Sequence, residues 1–239
     1  GSTTLYAFIG QLDGRVVCTR NGSAELTWTP HYVIQNGQSN EVAASASASG
    51  LGISMVSHYL GADLLGWSNV TNTWVPLNEL SANTRAAGAP YNTPGAGMVG
   101  AIYLRALADL TGRTQRSIAL AYTGQSLLTY FLPSSVLLAR YGDGTTHGTL
   151  NNFNLMLALI AAAGITDFSR VEYCYTQGEA DAGVTYDAYL AALNTLGDAL
   201  DAAIPGYRGC LTRTVGGITY QGVQRAQDAF VAARKNWRI

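Results

Sequence analysis

Ser39 is the residue of this sequence whose surroundings best suit covalent chemistry. It stands in Gly37-Gln38-Ser39-Asn40, directly after a short apolar stretch that predicts a strand. A serine on a tight glycine turn between a strand and a helix exposes its hydroxyl, and the backbone N–H groups beside it can hold an oxyanion. Acyl transfer needs this arrangement, so the turn predicts a nucleophile. Its other interpretation is an ordinary helix N-cap.

Two further polar turns that contain glycine follow later predicted strands. They are Thr123-Gly124-Gln125-Ser126 and Thr176-Gln177-Gly178-Glu179-Ala180-Asp181. In an open parallel sheet, ligands bind outside the carboxyl ends of the strands, at the point where the strand order switches. We therefore expect all three turns to converge at one edge. Taken singly, Gln177 and Glu179 would be interpreted as part of a solvated turn with a capping carboxylate.

Short strands alternating with helices would position these turns. Strands rich in Val, Ile, Tyr and Leu are predicted at about 32–35, 117–122, 171–175 and 208–213. Helical patterns cover 98–110, 149–163, 186–204 and 221–235, and Pro205-Gly206 ends the third of them. Strands that alternate with helices pair in parallel, so the sequence predicts a layered α/β sheet.

Two segments do not fit this alternation. We expect residues 1–30 to form an N-terminal extension or a small β element, and residues 31–239 to form the main domain. The segment from 61 to 97 is rich in Asn, Thr, Gly and Pro, and we expect a long excursion from the sheet. Trp67, Trp74 and Tyr91 lie in it as candidate ligand contacts, with packing as the alternative role.

The composition limits the class of partner. Charged residues make up 12% of the sequence and the formal net charge is -1, so we exclude nucleic acid and expect a neutral partner. No apolar run approaches the roughly 18 residues that span a bilayer, so we expect a soluble protein and no membrane partner. The oligomeric state and the compartment stay open, with a secreted, extracellular or virion-associated protein favoured over a cytoplasmic one.

The three cysteines are Cys18, Cys174 and Cys210. Their odd number and wide spacing argue against a disulfide framework and against a zinc-type cluster. We expect small apolar core residues at these positions. The sequence predicts no metal and no cofactor.

The first and third turns together resemble those of a known family. Gly37-Gln38-Ser39-Asn40, followed far downstream by Gln177-Gly178-Glu179-Ala180-Asp181, resembles the sialate O-acetylesterase and family 6 carbohydrate esterase group of the SGNH hydrolases. Thr93-Pro94-Gly95-Ala96-Gly97-Met98 is similar to the Gly-Pro-rich block of that group. Ala121-Tyr122-Thr123-Gly124-Gln125-Ser126 is similar to its Gly-Gly-Thr-Ser turn, with Thr123 and Gln125 as departures. The similarity covers roughly 32–237.

This resemblance implies a flavodoxin-like, three-layer α/β/α fold and an acyl-enzyme route for removing acetyl groups from a sugar or polysaccharide. Ser39 would be the nucleophile. Its own backbone N–H, that of Gly124 and the side-chain amide of Gln177 would form the oxyanion hole. Glu179 matches a carboxylate that supports the histidine or the turn itself.

Further substrate contacts are expected in the same turns. Gln38, Asn40 and Ser126 are the candidates, beside the aromatic residues of the excursion. Asp181 matches a family position whose role is less defined.

The base that would activate the serine is not evident. The family supplies a histidine from an Asp-x-x-His motif after a fifth strand, and the sequence up to Ile239 has neither the motif nor a predicted fifth strand and last helix. His31 should lie at the opposite edge, and His58 along a helix leading away. Either the catalytic Asp and His follow Ile239, which we prefer, or His147 with Asp143 takes their place.

Two alternatives to a carbohydrate acetyl esterase follow from these residues. A non-catalytic glycan-binding module would keep the esterase fold and lack a working base. A lipase or peptidase fits less well, because the Gly-x-Ser-x-Gly elbow of those enzymes is absent: Asn40-Glu41 follows Ser39.

Overall fold

A computed structural model of the chain contains two β-sheets. Strands β1 (Tyr6–Gly10), β2 (Val16–Arg20) and β3 (Ser23–Trp28) form an antiparallel three-stranded sheet in the N-terminal segment. All other described strands belong to a second sheet of seven strands. The structure describes residues 6–10, 16–20, 23–28, 30–37, 64–68, 73–76, 104, 106–110, 114–120, 125–135 and 150–239.

The seven-stranded sheet is mostly parallel. Its strands are β4 (His31–Gly37), β5 (Leu64–Ser68), β6 (Thr73–Pro76), β7 (Gln115–Ala119), β8 (Val171–Thr176), β9 (Arg208–Thr212) and β10 (Trp237–Arg238). They lie in the order β10-β9-β8-β4-β7-β5-β6, and only β5 and β6 pair antiparallel. The prediction of a parallel α/β sheet is confirmed.

Three long helices are described in the second half of the chain. They are α1 (Asn152–Ala162), α2 (Tyr186–Ala203) and α3 (Gln221–Ala233). The side chain of Thr185 caps α2 by accepting a hydrogen bond from the N–H of Ala188. Asn151 caps α1 in the same way, by accepting from the N–H of Asn154. Among the described helices, none combines the length and apolar character needed to cross a membrane.

Helices cover both faces of the sheet. Ile34 and Val33 are neighbours on β4, so their side chains point to opposite faces. Ile34 belongs to the large core that includes the apolar sides of α1, α2 and α3. Val33 packs instead with Leu104 and Ala108, from the helical residues 104 and 106–110. The expected three-layer α/β/α architecture is confirmed.

The strand order creates a switch point beside β4. With the β5–β6 pair set aside, the order β7-β4-β8-β9-β10 is the flavodoxin-like 2-1-3-4-5 arrangement. The chain first moves from β4 to one neighbour, β7, and later returns to the other neighbour, β8. The carboxyl ends of these three strands therefore meet at one crevice, where this class of fold binds ligands.

The prediction that 61–97 leaves the sheet is wrong for β5 and β6, which belong to the sheet. Leu64–Ser68 pairs parallel with β7, and Thr73–Pro76 closes that edge of the sheet as an antiparallel strand. Glycine, asparagine and threonine dilute the apolar signal of these short strands in the sequence. Tertiary packing decides their state, because Leu64 is fully buried and Trp67 is 3% exposed. The remainder of the predicted excursion lies outside the described residues.

The prediction that a fifth strand is missing is also wrong. Trp237–Arg238 forms β10, parallel to β9. Two residues give no periodic signal, and long-range packing holds them in place. The Trp237 ring lies 4.9 Å from the Phe230 ring between centroids and edge-on to those of Tyr173 and Tyr207, and its indole N–H donates to the Tyr207 hydroxyl at 2.8 Å.

We predict that Trp237→Leu lowers the free energy of unfolding by about 2 kcal/mol, because it removes aromatic contacts and a buried hydrogen bond. Chemical denaturation measures the loss. Ile239→Ala is the control, since Ile239 is 53% exposed and its truncation should change stability by less than about 0.5 kcal/mol. Equal losses in the two variants would show that β10 is not anchored by its tryptophan.

Candidate functional site

The turn after β4 follows Gly37, whose backbone conformation and close contact with β8 exclude a side chain. Gly37 is the last residue of β4 and lies in register with Thr176, the last residue of β8. Its φ is +130°, and a Cβ at this position would lie 2.1 Å from the carbonyl oxygen of Thr176. The two strands therefore approach each other directly before Gln38-Ser39, and only glycine permits that approach.

A buried pair of amides links the end of β4 to the end of β7. Asn36 donates from Nδ2 to Oδ1 of Asn152 at 2.8 Å, and Asn152 donates in turn to the carbonyl oxygen of Leu120 at 3.1 Å. The Asn36 side chain also accepts the N–H of Gly37 at 2.8 Å. Both asparagines are at most 2% exposed. The end of β4 is thus fixed relative to the end of β7.

Asp181 fastens the turn after β7 to the turn after β8. Its Oδ2 accepts the backbone N–H of Leu127 at 2.9 Å and the side-chain amide of Gln177 at 2.5 Å. The same amide donates to the carbonyl oxygen of Gln125 at 3.1 Å. Asp181 is 1% exposed. The three turns predicted from the sequence therefore start from one fixed edge of the sheet.

Gln177 is held from several sides. Its Oε1 accepts the Tyr189 hydroxyl at 2.5 Å, and its carbonyl oxygen accepts from Thr214 Oγ1 at 3.1 Å and from Gln227 Nε2 at 2.9 Å. Burial raises the pKa of Tyr189 well above its usual range, and the negative charge of Asp181 adds to this. Tyr189 therefore stays protonated and donates to Gln177. Both amide hydrogens of Gln177 are used within the protein, so donation to an oxyanion requires one of these bonds to open.

Gly178 allows the turn after β8 to close over the loop after β9. Its φ is +142°, and a Cβ there would lie 2.0 Å from Oγ1 of Thr214. Glu179 follows in the short 3₁₀ turn Glu179–Asp181 and is half-buried. This places the Gln-Gly-Glu-x-Asp sequence on the crevice, as the sequence predicts.

Ser126 has a local structural role in this turn. It is half-buried, and its Oγ accepts the N–H of Leu128 at 3.1 Å, which caps the single π-helical turn Leu127–Phe131. Ser126, a candidate substrate contact, therefore acts as a cap, which is a common role of a serine before a helix.

The two tryptophans that are candidate ligand contacts, Trp67 and Trp74, pack at the far side of β7. Trp67 belongs to the core, and its ring meets that of Trp74 edge-on at 5.2 Å. Trp74 is half-buried, with the Arg116 guanidinium 4.8 Å from its ring centroid and the Tyr32 ring 5.9 Å away. The environment of Trp67 favours packing over sugar contact, which was the alternative role given to these rings.

His31 is the only histidine among the described residues, and it begins β4 at the end opposite Gly37. Its Nδ1 lies 2.9 Å from Gln115 Oε1 and its Nε2 lies 3.9 Å from Glu172. Its placement agrees with the expectation that it is not the base. Several other candidate residues fall outside the described residues, namely Gln38, Ser39, Asn40, His58, Tyr91, Gly124, Asp143 and His147.

The sequence did not reveal the support that Tyr189, Thr214 and Gln227 give to Gln177. One signal was available. Gln227 stands on the apolar stripe of α3 between Val223 and Phe230, and all three side chains are buried. A polar residue on a buried helical stripe must find hydrogen-bond partners, so its position pointed to a network beneath the site.

We predict that Gly37→Ala lowers the free energy of unfolding by about 2–3 kcal/mol, because the new Cβ meets backbone and forces an unfavourable φ. Gly164→Ala is the matched control. Gly164 also has a positive φ, +69°, but nothing lies within 4 Å of its Cβ position. Thermal unfolding measures both variants, and equal effects would exclude a special role for the Gly37 contact.

We predict that Asp181→Ala destabilises the chain by about 1–3 kcal/mol, because the Leu127 N–H and a Gln177 amide hydrogen lose their buried acceptor. Asp181→Asn keeps an oxygen of the same size and should lose less. Chemical denaturation compares the two variants. An alanine variant as stable as the natural chain would show that Asp181 does not hold the turns together.

Comparisons with known proteins identify the fold. No family model matches the sequence, and no curated protein matches it either. A carbohydrate acetylesterase from Xanthomonas citri has a similar structure, with a TM-score of 0.57 at 16% sequence identity over 97% of this chain and 54% of that one. A protein from Arabidopsis thaliana gives a TM-score of 0.56 at 13% identity over 87% of this chain and 84% of that one.

These likenesses define the class of fold to which the chain belongs. It is the three-layer α/β fold that the two solved structures share with it. The chain spans about half the length of the Xanthomonas citri protein.

Proposed function

We propose that this chain is a serine-type carbohydrate O-acetyl esterase of the SGNH class. The observation that carries the proposal is the crevice where β4, β7 and β8 end, with hydrogen bonds through Asn152 and Asp181 fixing these ends to one another. In the sequence, Ser39 comes two positions after Gly37, the last residue of β4. The Xanthomonas citri protein with a similar fold is a carbohydrate acetylesterase, which supports the substrate class.

In the proposed reaction, Ser39 Oγ attacks the carbonyl carbon of an acetyl ester while a histidine takes its proton. Backbone N–H groups of Ser39 and Gly124, with the amide of Gln177, stabilise the negative oxygen of the tetrahedral intermediate. The sugar oxygen leaves with the proton from the histidine. Water then attacks the acetyl-enzyme, which releases acetate and restores Ser39.

The described residues contribute by fixing geometry before substrate arrives. Gly37, the last residue before the proposed nucleophile turn, lies against the backbone of Thr176 on β8. Asp181 joins the turn after β7 to the turn after β8 by hydrogen bonds to Leu127 and Gln177. Gln177 becomes an oxyanion donor when its bond to the Gln125 carbonyl opens, since Asp181 and Tyr189 continue to orient its amide. Such preorganisation is what makes oxyanion stabilisation effective.

The histidine of the mechanism is either His147, with Asp143 four residues before it in the sequence, or one that follows Ile239. His147→Ala separates the two. Loss of hydrolysis in the folded variant would assign the base to His147, and full retention would remove it from the mechanism.

Acetate release from O-acetylated sugars tests the proposed activity. We expect acetate from acetylated oligosaccharides or O-acetylated sialosides, and little product from long-chain acyl esters or peptides. Sugar binding without acetate release would instead establish a glycan-binding module. Preference for long-chain esters or peptides would place the chain among lipases or peptidases.

A further inference from the structure

Two cysteines that are far apart in the sequence are neighbours in the sheet. Cys174 on β8 lies in register with Cys210 on β9. Adjacent strands lie about 4.8 Å apart, which falls within the Cα separations that a disulfide can bridge. Both sulfur atoms and a carboxylate oxygen of Glu172 lie within 4.8 Å of one another, and both residues are thiols in this structure. The wide sequence spacing concealed this pair.

The pair is separate from the proposed esterase crevice and accessible from one side. Cys174 lies within β8 before the carboxyl edge, on the face opposite the buried Tyr173 and Tyr175. It is 9% exposed, whereas Cys210 is half-buried. A small reagent therefore meets Cys210 first, with Cys174 behind it.

The charges around the pair favour a thiolate at Cys210. A hydrogen bond from the Cys174 thiol and the nearby Arg238 guanidinium lower the pKa of Cys210 to about 6, against opposing effects of burial and of Glu172. Arg238 lies in register with Cys210 on β10. The thiolate is the reactive form of cysteine, and cationic neighbours are the usual cause of a reactive one.

The same charges disfavour a metal ion at these donors. Two thiols and a carboxylate would suit a thiophilic cation. However, the Arg238 guanidinium donates a hydrogen bond to Glu172 and places a positive charge at the site. The carboxylate that a cation would need is thus already paired with Arg238, while an anion at Cys210 gains from the positive charge.

We propose that Cys174 and Cys210 are an oxidisable dithiol in which Cys210 reacts with hydroperoxides and Cys174 closes a disulfide. The Cys210 thiolate attacks one oxygen of hydrogen peroxide, the O–O bond breaks, and a sulfenic acid and hydroxide form. The Cys174 sulfur then attacks the Cys210 sulfur and gives up its proton, and the S–O bond breaks to release water. In total, two thiols and one peroxide give one disulfide and two waters.

Peroxide treatment of the native chain, followed by peptide mapping, tests this proposal. We expect the loss of two of the three thiols, a linked pair of peptides carrying Cys174 and Cys210, and full reversal by dithiothreitol. This experiment uses the natural chain and needs no variant. A mapped product without that link, or oxidation of Cys18 in preference, would overturn the proposal.

Single variants test the order of the two steps. Cys174→Ser should accumulate a sulfenic acid at Cys210 that dimedone captures, whereas Cys210→Ser should show little capture at Cys174. Cys18→Ser is the matched control and should form the same disulfide as the natural chain. Dimedone capture mainly at Cys174 would contradict the assigned order. These readouts do not involve ester hydrolysis, so they stand apart from the proposed esterase function.

Discussion

Ser39→Ala is expected to reduce kcat/KM for acetyl-ester hydrolysis by about 10⁴- to 10⁶-fold, the range found when a serine hydrolase loses its nucleophile. In the proposed mechanism, the covalent route disappears with the hydroxyl, and only weak stabilisation by the proposed oxyanion donors remains. The fold should be unaffected, because the buried contacts at the end of β4 are made by Asn36 and Gly37. Acetate release and the unfolding midpoint, measured on the same preparation, separate chemistry from stability.

Ser126→Ala is the matched control for this serine. Its hydroxyl caps the turn Leu127–Phe131 beside the same crevice, so its loss should cost about 1 kcal/mol of stability and leave most of the activity. An Ser39→Ala variant that hydrolyses acetyl esters as fast as the natural chain would show that the reaction uses another nucleophile.

Gln177→Ala is expected to lower kcat/KM by about 10²- to 10³-fold, the usual effect of losing one oxyanion donor. It also removes the side-chain acceptor of the Tyr189 hydroxyl, which keeps only its longer contact of 3.3 Å to the Gln177 carbonyl oxygen, and it removes a donor from Asp181. A stability loss of about 1–3 kcal/mol should accompany it. Steady-state kinetics at a temperature where the variant is folded measures the catalytic part alone.

Gln227→Ala distinguishes catalysis by Gln177 from simple support of the turn. Gln227 binds the backbone carbonyl of Gln177 and the backbone N–H of Thr214, so its removal weakens the same turn and leaves the Gln177 amide present. We expect this variant to lose stability and to keep activity within about tenfold of the natural chain. Equal activity losses in the two variants would limit Gln177 to a positioning role.

Helices and strands with a strong local sequence signal were predicted correctly. Helix α2 was predicted at 186–204 and is observed at Tyr186–Ala203, because its apolar periodicity and the stop at Pro205 agree. The strand β8 begins at Val171, as predicted. The strands β5 and β10 were missed, since their stability comes from Trp67 and Trp237 packing on residues distant in the sequence.

The sequence predicted which turns form the candidate site, but it did not predict the hydrogen bonds that join them. Glycine and polar residues after each strand indicated where Gln177 and Glu179 would lie. Nothing local showed that Asp181 would reach the N–H of Leu127, or that Cys174 would face Cys210, because such contacts depend on strand order and register. Register follows from packing of the whole sheet, which no short segment encodes.

Labelling with a fluorophosphonate probe tests the proposed nucleophile most directly, because such probes react with serines that a base has activated. We predict one covalent adduct per chain, mapped to the peptide that contains Ser39, absent from Ser39→Ala and reduced by an acetylated sugar. An active chain without this adduct, or with the adduct on another serine, would contradict the assignment of Ser39.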